Sequence, residues 1–263
     1  MSEELELSLV TGRDLEPQHP PHGESIRVSA RERTACCHLS GATWLLDLRD
    51  AFGLQFLLII FAGAHLLRGA VGALAASAIP YLNAQYHIPA ATGQIYGAII
   101  MLPYSCKAAI GLVSDLCSFR GFQKLPVMVI ASLLGVTSWT LICVADLPIG
   151  ANVLLCTLGT LHAATCDVLL EAQMSARMRN EPEKGSSLPP FYTGGVMTAG
   201  GFAAALYGPI TANGRRSPRT ALVVCACLSA PVLALACLNF HGEARLSKQQ
   251  VMKLRSSLLK QRE

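Results

Sequence analysis

Apolar residues in this chain run in long blocks, parted by short polar connections. Six blocks of about twenty residues or more can be marked off, each enough to cross roughly 30 Å of hydrocarbon as a helix. They cover 52–82, 92–113, 125–145, 150–171, 189–212 and 220–240. The pattern predicts an all-α polytopic membrane protein with six transmembrane helices. The first block is too long for one straight crossing, so a tilt, or a kink near Gly69, Gly72 or Pro80, is expected.

The flanks read differently. Residues 1–40 are polar, with Pro17, Pro20 and Pro21, and have the composition of a disordered tail. The stretch GATWLLDLRD, 41–50, predicts a short interfacial helix anchored by Trp44. Three regions follow: a cytoplasmic tail over 1–50, a membrane domain over 51–240 and a basic cytoplasmic tail over 241–263. In that last tail Val251, Leu254 and Leu258 recur at helical spacing opposite a basic face. Such a helix suits an anionic inner leaflet, and equally a solvated surface. The acidic opening MSEELELSLV predicts no cleavable signal peptide.

Composition agrees with the blocks. The chain is 52% hydrophobic and 14% charged, against about a quarter charged in soluble domains. Much of the net charge of +4 lies in the last twenty residues, which predicts no nucleic-acid partner. Seven of the ten cysteines lie in or beside apolar blocks, where they serve as small buried side chains. Cys36-Cys37 lacks further ligands at zinc spacing, so no metal site is expected. No phosphate loop, GxSxG, HExxH or paired CxxC occurs, so neither enzymatic activity, ATP-driven transport nor a cofactor is expected.

Loop charge sets the orientation. With the N-terminus inside, Arg120, Lys124, Arg177, Arg179 and Lys184 fall on cytoplasmic loops, and the loops near 84–91 and 146–149 carry no Lys or Arg. The exception is GRRSPR, which places Arg215, Arg216 and Arg219 on the other side. The expected setting is the plasma membrane, with lipid around the bundle.

Four charged residues sit where a bilayer disfavours them. Lys107 lies seven residues before Ser114, so its backbone is about 10 Å deep by helical rise. A charge at a span's centre costs about 3 kcal/mol on insertion scales, and less near the interface. Lys107 therefore either snorkels or lines an aqueous cavity, beside the carbonyl that Pro103 frees and below Tyr104. Arg68 is near the middle of the first block. If that block is one helix, Arg68 must face the bundle interior and meet a carboxylate or an anionic ligand. If the helix ends near 72, Arg68 is an interfacial anchor. In HAATCDVLLEAQ, Asp167 and Glu171 stand at i and i+4, on one helix face. That is the arrangement of a proton relay, and equally of gate salt bridges to Arg177, Arg120 or Lys124. His65 and His162 read as packing residues. In the fifth block Gly201 and Ala205 stand at small-xxx-small spacing, which predicts a closely packed helix.

The loop after Lys107, GLVSDLCSFRGFQK, has the layout Gly-x-x-x-Asp and then Arg-Gly-x-x-Lys. Gly111 lets two helices close at the membrane face, Asp115 can cap a helix or pair across the bundle, and Arg120 and Lys124 hold the loop inside. This layout resembles the cytoplasmic gating loop of major-facilitator transporters. LPYSCKAAIGLVSDL, GFQKLP and LGVTSW together are similar to the folate–biopterin transporter family, as are CDVLLEAQ and the glycine-rich GGVMTAGGFAAAL. The likeness covers roughly 52–210. Tyr104, Gln123 and Glu171 depart from that family's usual tryptophan, arginine and aspartate.

What the resemblance implies is proton-linked movement of folates or unconjugated pterins across a membrane. Folate carboxylates would suit Arg68 or Lys107, and pterin donors would suit Asp167 or Glu171. Members of that family usually have about twelve spans in two halves around a midplane cavity. Six spans supply one wall. Either a second copy or another transporter half completes the cavity, or the chain is a truncated transporter. The alternative is a non-transporting membrane subunit that pairs with and regulates a full-length relative.

Overall fold

The computed structural model of the chain describes residues 30–116, 122, 124–211, 218–240 and 242, with side-chain surroundings from residue 41 onward. Internal packing divides the chain into two units, residues 1–43 and 44–263. Helix α1 (Ala30–Phe52) supplies the described part of the first unit and runs on into the second. It takes in residues 30–40, whose polarity predicts a disordered tail, as well as 41–50, where a helix is expected. Residues 1–29, Arg120, Arg215, Arg216 and the tail from 243 lie outside the described residues.

The second unit is helical, with no β-strand among the described residues. Gly53 ends α1 with a φ of 81°, a conformation that needs a residue without a Cβ. From there α2 (Leu54–Ile60), a π-wound segment (Phe61–Val71) and α3 (Gly72–Gln85) continue as one 32-residue crossing. The second crossing is α4 (Ala90–Ser105) and α5 (Lys107–Leu116), stepped at Cys106. Helices α6 (Lys124–Val144) and α7 (Ile149–Asn180) follow, then the single turn α8 (Pro182–Gly185), α9 (Leu188–Thr211) and α10 (Pro218–Cys237).

Prolines mark both ends and interruptions. Pro89 and Pro148 immediately precede α4 and α7, while Pro182 and Pro218 open α8 and α10. An N-terminal proline gives up only an N–H that a helix leaves unpaired anyway. Pro103, inside α4, removes a donor that the ladder does need, and the step at Cys106 follows three residues later.

Among the described residues five helices are long and apolar enough to cross a membrane: Leu54–Gln85, Ala90–Asp115, Lys124–Val144, Ile149–Asn180 and Pro218–Cys237. The protein is an all-α polytopic membrane protein. The remaining block, 189–212, is the 24-residue α9. With its glycines, threonines, prolines and tyrosines, no 18-residue stretch of it is as apolar as those of the other five.

Helix α9 packs backbone to backbone on the π segment. A Cβ on Gly69 would stand 2.7 Å from the Val196 carbonyl oxygen, and one on Gly200 would stand 3.4 Å from that of Gly69. Close approach of this kind is what small residues permit between membrane helices. The packed stripe is Val196, Gly200 and Ala203, one position round from the expected one. Gly201 faces open space and Ala205 is exposed. On the same helix Gly195 leaves room for the His65 ring, whose Nε2 lies 3.0 Å from the Phe191 carbonyl oxygen. Helices α6 and α7 interlock reciprocally, the His162 ring against Gly135 and the Trp139 ring against Gly159.

A polar brace closes the end of the bundle that carries the α3–α4 and α6–α7 connections. The Tyr86 hydroxyl donates to the Leu147 carbonyl at 2.8 Å. Asn152 Nδ2 donates to the Tyr86 hydroxyl at 2.8 Å and to Leu147 O at 3.0 Å. Arg219, at the start of α10, pairs with Asp146 at 2.5 Å and reaches the Tyr86 hydroxyl at 3.5 Å. This places Arg219, anomalous by loop charge alone, opposite a carboxylate.

Candidate functional site

Arg68 lies in the π segment, roughly 20 Å of helical rise from either end of its crossing. The crossing does not end near 72, so surface anchoring is not available to it. Lys107 is the first residue of α5, after the step at Cys106. Asp167 and Glu171 project from α7, and Tyr192 comes from the second turn of α9. Four separate backbone segments thus bring their polar groups to one point inside the bundle.

Asp167 is the hub. Its side chain has no solvent-accessible surface, and both oxygens are engaged. Arg68 Nη1 donates to Oδ1 at 2.7 Å, the Tyr192 hydroxyl donates to the same oxygen, and Lys107 Nζ pairs with Oδ2. Arg68 also donates to the Tyr192 hydroxyl at 3.2 Å. The two cations are each backed by an aromatic ring: Arg68 lies 5.7 Å from the Tyr192 ring centre, and Lys107 5.3 Å from that of Tyr104.

Glu171 is held differently. Its side chain is 43% exposed, against 33% for Arg68 and 27% for Lys107. A single oxygen, Oε1, lies 3.4 Å from Arg68 Nη1 and 3.8 Å from Lys107 Nζ. Charge-assisted bonds are usually about 2.7–2.9 Å, so Glu171 bridges both cations loosely from the open side. With both carboxylates ionised, the two cations and two anions sum to zero. Isolated charges at this depth would be far more costly, which is why membrane proteins pair them.

The expected alternative, gate pairing of these carboxylates with cytoplasmic bases, has a different outcome for Arg177. It donates to the Phe52 carbonyl at 2.9 Å and stands 3.8 Å over the Phe56 ring, tying α7 to the start of the first crossing. Of the residues read as a gating loop, Gly111 brings α5 close to α7, since a Cβ there would meet Val168 at 3.3 Å. Asp115 is exposed and carries no ion pair among the described residues, and Lys124 opens α6. Arg120 lies outside the described residues. Nothing in the sequence pattern singles out Tyr192, since a tyrosine near a helix end is ordinary at a membrane interface.

Above the cluster, between α3 and α4, lies a cavity of about 660 Å³. Ile79, Asn83, Gln94, Ile100 and Met101 line it. Ile79, Ile100 and Met101 also line a second, small pocket of about 40 Å³ whose wall includes Tyr104. The volume falls within the usual range of about 300–1,000 Å³ for small-molecule sites, and the mix of apolar wall and few amides is typical of them. Among the described residues no group of three or more His, Cys, Asp or Glu side chains is arranged to hold a metal.

Compared with known proteins, the chain matches the sequence profile of the BT1 family over residues 68–260, a range that includes the whole cluster. It is similar to "Probable folate-biopterin transporter 4" of Arabidopsis thaliana, with 24% identity over 169 residues. That alignment takes in 63% of this chain and 34% of the relative, so the chain spans about a third of that protein's length. No solved structure matches.

Proposed function

The chain belongs to the BT1 family, and from that premise we propose that it moves folate or pteridine-type compounds across a membrane, coupled to protons. The observation that carries this reading is the Arg68–Lys107–Asp167–Glu171 cluster. Two cations and two carboxylates meet deep in a bundle of apolar helices, with one carboxylate sealed and the other half open. Arg68 and Lys107 bind the carboxylates of a folate-like anion. The apolar cavity with Asn83 and Gln94 takes the flat heterocycle, whose amino and imino groups match carboxamides. Gly111, Asp115, Arg120 and Lys124 form the gate below, on the cytoplasmic side of the plasma membrane.

The second crossing is mostly exposed, unlike the first and fourth. A second six-helix unit, either another copy or another transporter half, covers it and supplies the facing wall of the cavity. The same exposure favours a second reading, a subunit that pairs with a full-length relative and alters its transport without transporting by itself.

Uptake of labelled folate and labelled biopterin by cells expressing this chain alone tests the proposal. Uptake that Lys107→Ala and Asp167→Ala abolish, with both variants still reaching the membrane, supports the transporter. Uptake changed only when a full-length relative is co-expressed supports the subunit. Normal transport by both variants removes the cluster from the mechanism.

A further inference from the structure

We propose that Glu171 is the exchangeable counter-ion of this cluster: a carboxylate ligand takes its position on Arg68 and Lys107 while Glu171 accepts one proton. The inference rests on reading the cluster as the anion site of a transporter, and it divides labour between two carboxylates that sequence spacing alone makes equivalent.

The division follows from unequal engagement. Asp167 is fully enclosed and meets Arg68, Lys107 and Tyr192 with both oxygens. Displacing it would strip three donors in a position no incoming ligand can reach. Glu171 is 43% exposed and offers one oxygen at 3.4 Å and 3.8 Å to the same two cations. That oxygen occupies the place on the open side where a ligand carboxylate would have to sit to contact Arg68 Nη1 and Lys107 Nζ together. The groups facing Glu171 are Arg68 from the π segment, Lys107 from α5, Tyr104 from α4 and Asp167 one turn earlier on α7; Tyr192 from α9 acts through Asp167 and Arg68. While both cations stay in contact with it, Glu171 is their second counter-charge beside Asp167. Once a ligand carboxylate claims them, Glu171 faces Asp167 and the ligand, two like charges, and neutralises by taking a proton from water.

The charge balance closes. Before exchange the cluster holds Arg68 and Lys107 against Asp167 and Glu171. Afterwards the two cations face Asp167 and the ligand carboxylate, with Glu171 neutral. One carboxylate and one proton enter together, no bond other than the O–H of Glu171 forms, and the cluster's net charge is unchanged. Anion binding and proton uptake are thereby one event at one residue.

Calorimetric titration of the full chain in lipid nanodiscs, in two buffers of different ionisation enthalpy, measures protons taken up per ligand bound. The probes are folate and glutarate, the latter a carboxylate-only compound. For the wild type, about one proton should accompany each anion, and affinity should fall by up to about tenfold per pH unit as pH rises. Glu171→Gln should take up no proton and bind at all pH values as the wild type does at low pH. Glu171→Asp should restore proton uptake. Retained uptake in Glu171→Gln overturns the proposal, as does wild-type binding without a proton or no binding of either probe. Glutarate binding with proton uptake but no folate binding leaves the exchange intact and removes folate as substrate. Folate binding with uptake unchanged in Glu171→Gln does the reverse.

Discussion

Arg68 donates to Asp167 at 2.7 Å across 99 positions of sequence, and the acceptor carboxylate has no exposed surface. Neither residue would be tolerable at that depth without the other. Removing one partner of a buried pair typically costs about 3–5 kcal/mol, because the remaining charge stays unpaired. Here the cations are about one-third and one-quarter exposed, so Asp167→Ala is expected at the lower end, about 3 kcal/mol. Thermal unfolding in detergent measures it. Adding Lys107→Met to Asp167→Ala should recover part of the loss. A double variant no more stable than the sum of its singles would show that the two residues do not interact energetically.

The face of α9 that touches the π segment gives a contrast between neighbouring glycines. Gly69→Ala pushes a methyl group against the Val196 backbone, and Gly195→Ala pushes one into the His65 ring. Overpacking of this kind costs about 1–3 kcal/mol. Gly201→Ala meets nothing within 4 Å and should change stability by less than about 0.5 kcal/mol. Equal effects at 69 and 201 would mean that the contact stripe runs elsewhere.

That one-position offset shows where a sequence stops being informative. Ionised residues in apolar blocks must find partners or reach the interface, so dielectric cost marks Arg68, Lys107, Asp167 and Glu171 as exceptional without fixing which of them meet; the packing of the helices decides that. Glycines carry no such compulsion. GGVMTAGGFAAAL offers small residues on several faces of one helix, and only the neighbouring backbone decides which face is used. The π winding of Phe61–Val71 has no residue signature either; its glycines marked a bend, and the chain answered with a wider turn. Tyr192 escaped because its chemistry depends on a contact with α7 that no local spacing announces.

At the braced end, exposure decides which contacts matter. Asp146 is 92% exposed, so its pair with Arg219 is a surface ion pair, and Asp146→Asn should cost no more than about 1 kcal/mol. Asn152 is buried and donates to both Tyr86 and Leu147. Asn152→Ala removes both of those bonds, at about 0.5–1.5 kcal/mol each, and should cost about 1–3 kcal/mol. Thermal unfolding at low and high salt separates the two, since only the Asp146 contribution should fade with screening. A larger loss from Asp146→Asn than from Asn152→Ala would reverse this ranking.

Orientation can be read from two exposed positions at opposite ends of the bundle. Gln85 closes α3 beside the α3–α4 connection, and Glu183 sits on the single turn α8 between α7 and α9. Connections of the first kind lack Lys and Arg, whereas the region around α8 carries Arg177, Arg179 and Lys184. The excess of cations belongs on the cytoplasmic side. A membrane-impermeant maleimide applied to intact cells should therefore label Gln85→Cys and leave Glu183→Cys untouched until the membrane is permeabilised, with site occupancy read by mass spectrometry. If Glu183→Cys is labelled first, the bundle is inverted. The Arg68–Lys107–Asp167 cluster, which lies roughly 14 Å from the α5 terminus by helical rise, would then open toward the exterior, and the gate assigned to Gly111 and Asp115 would face the wrong compartment for uptake.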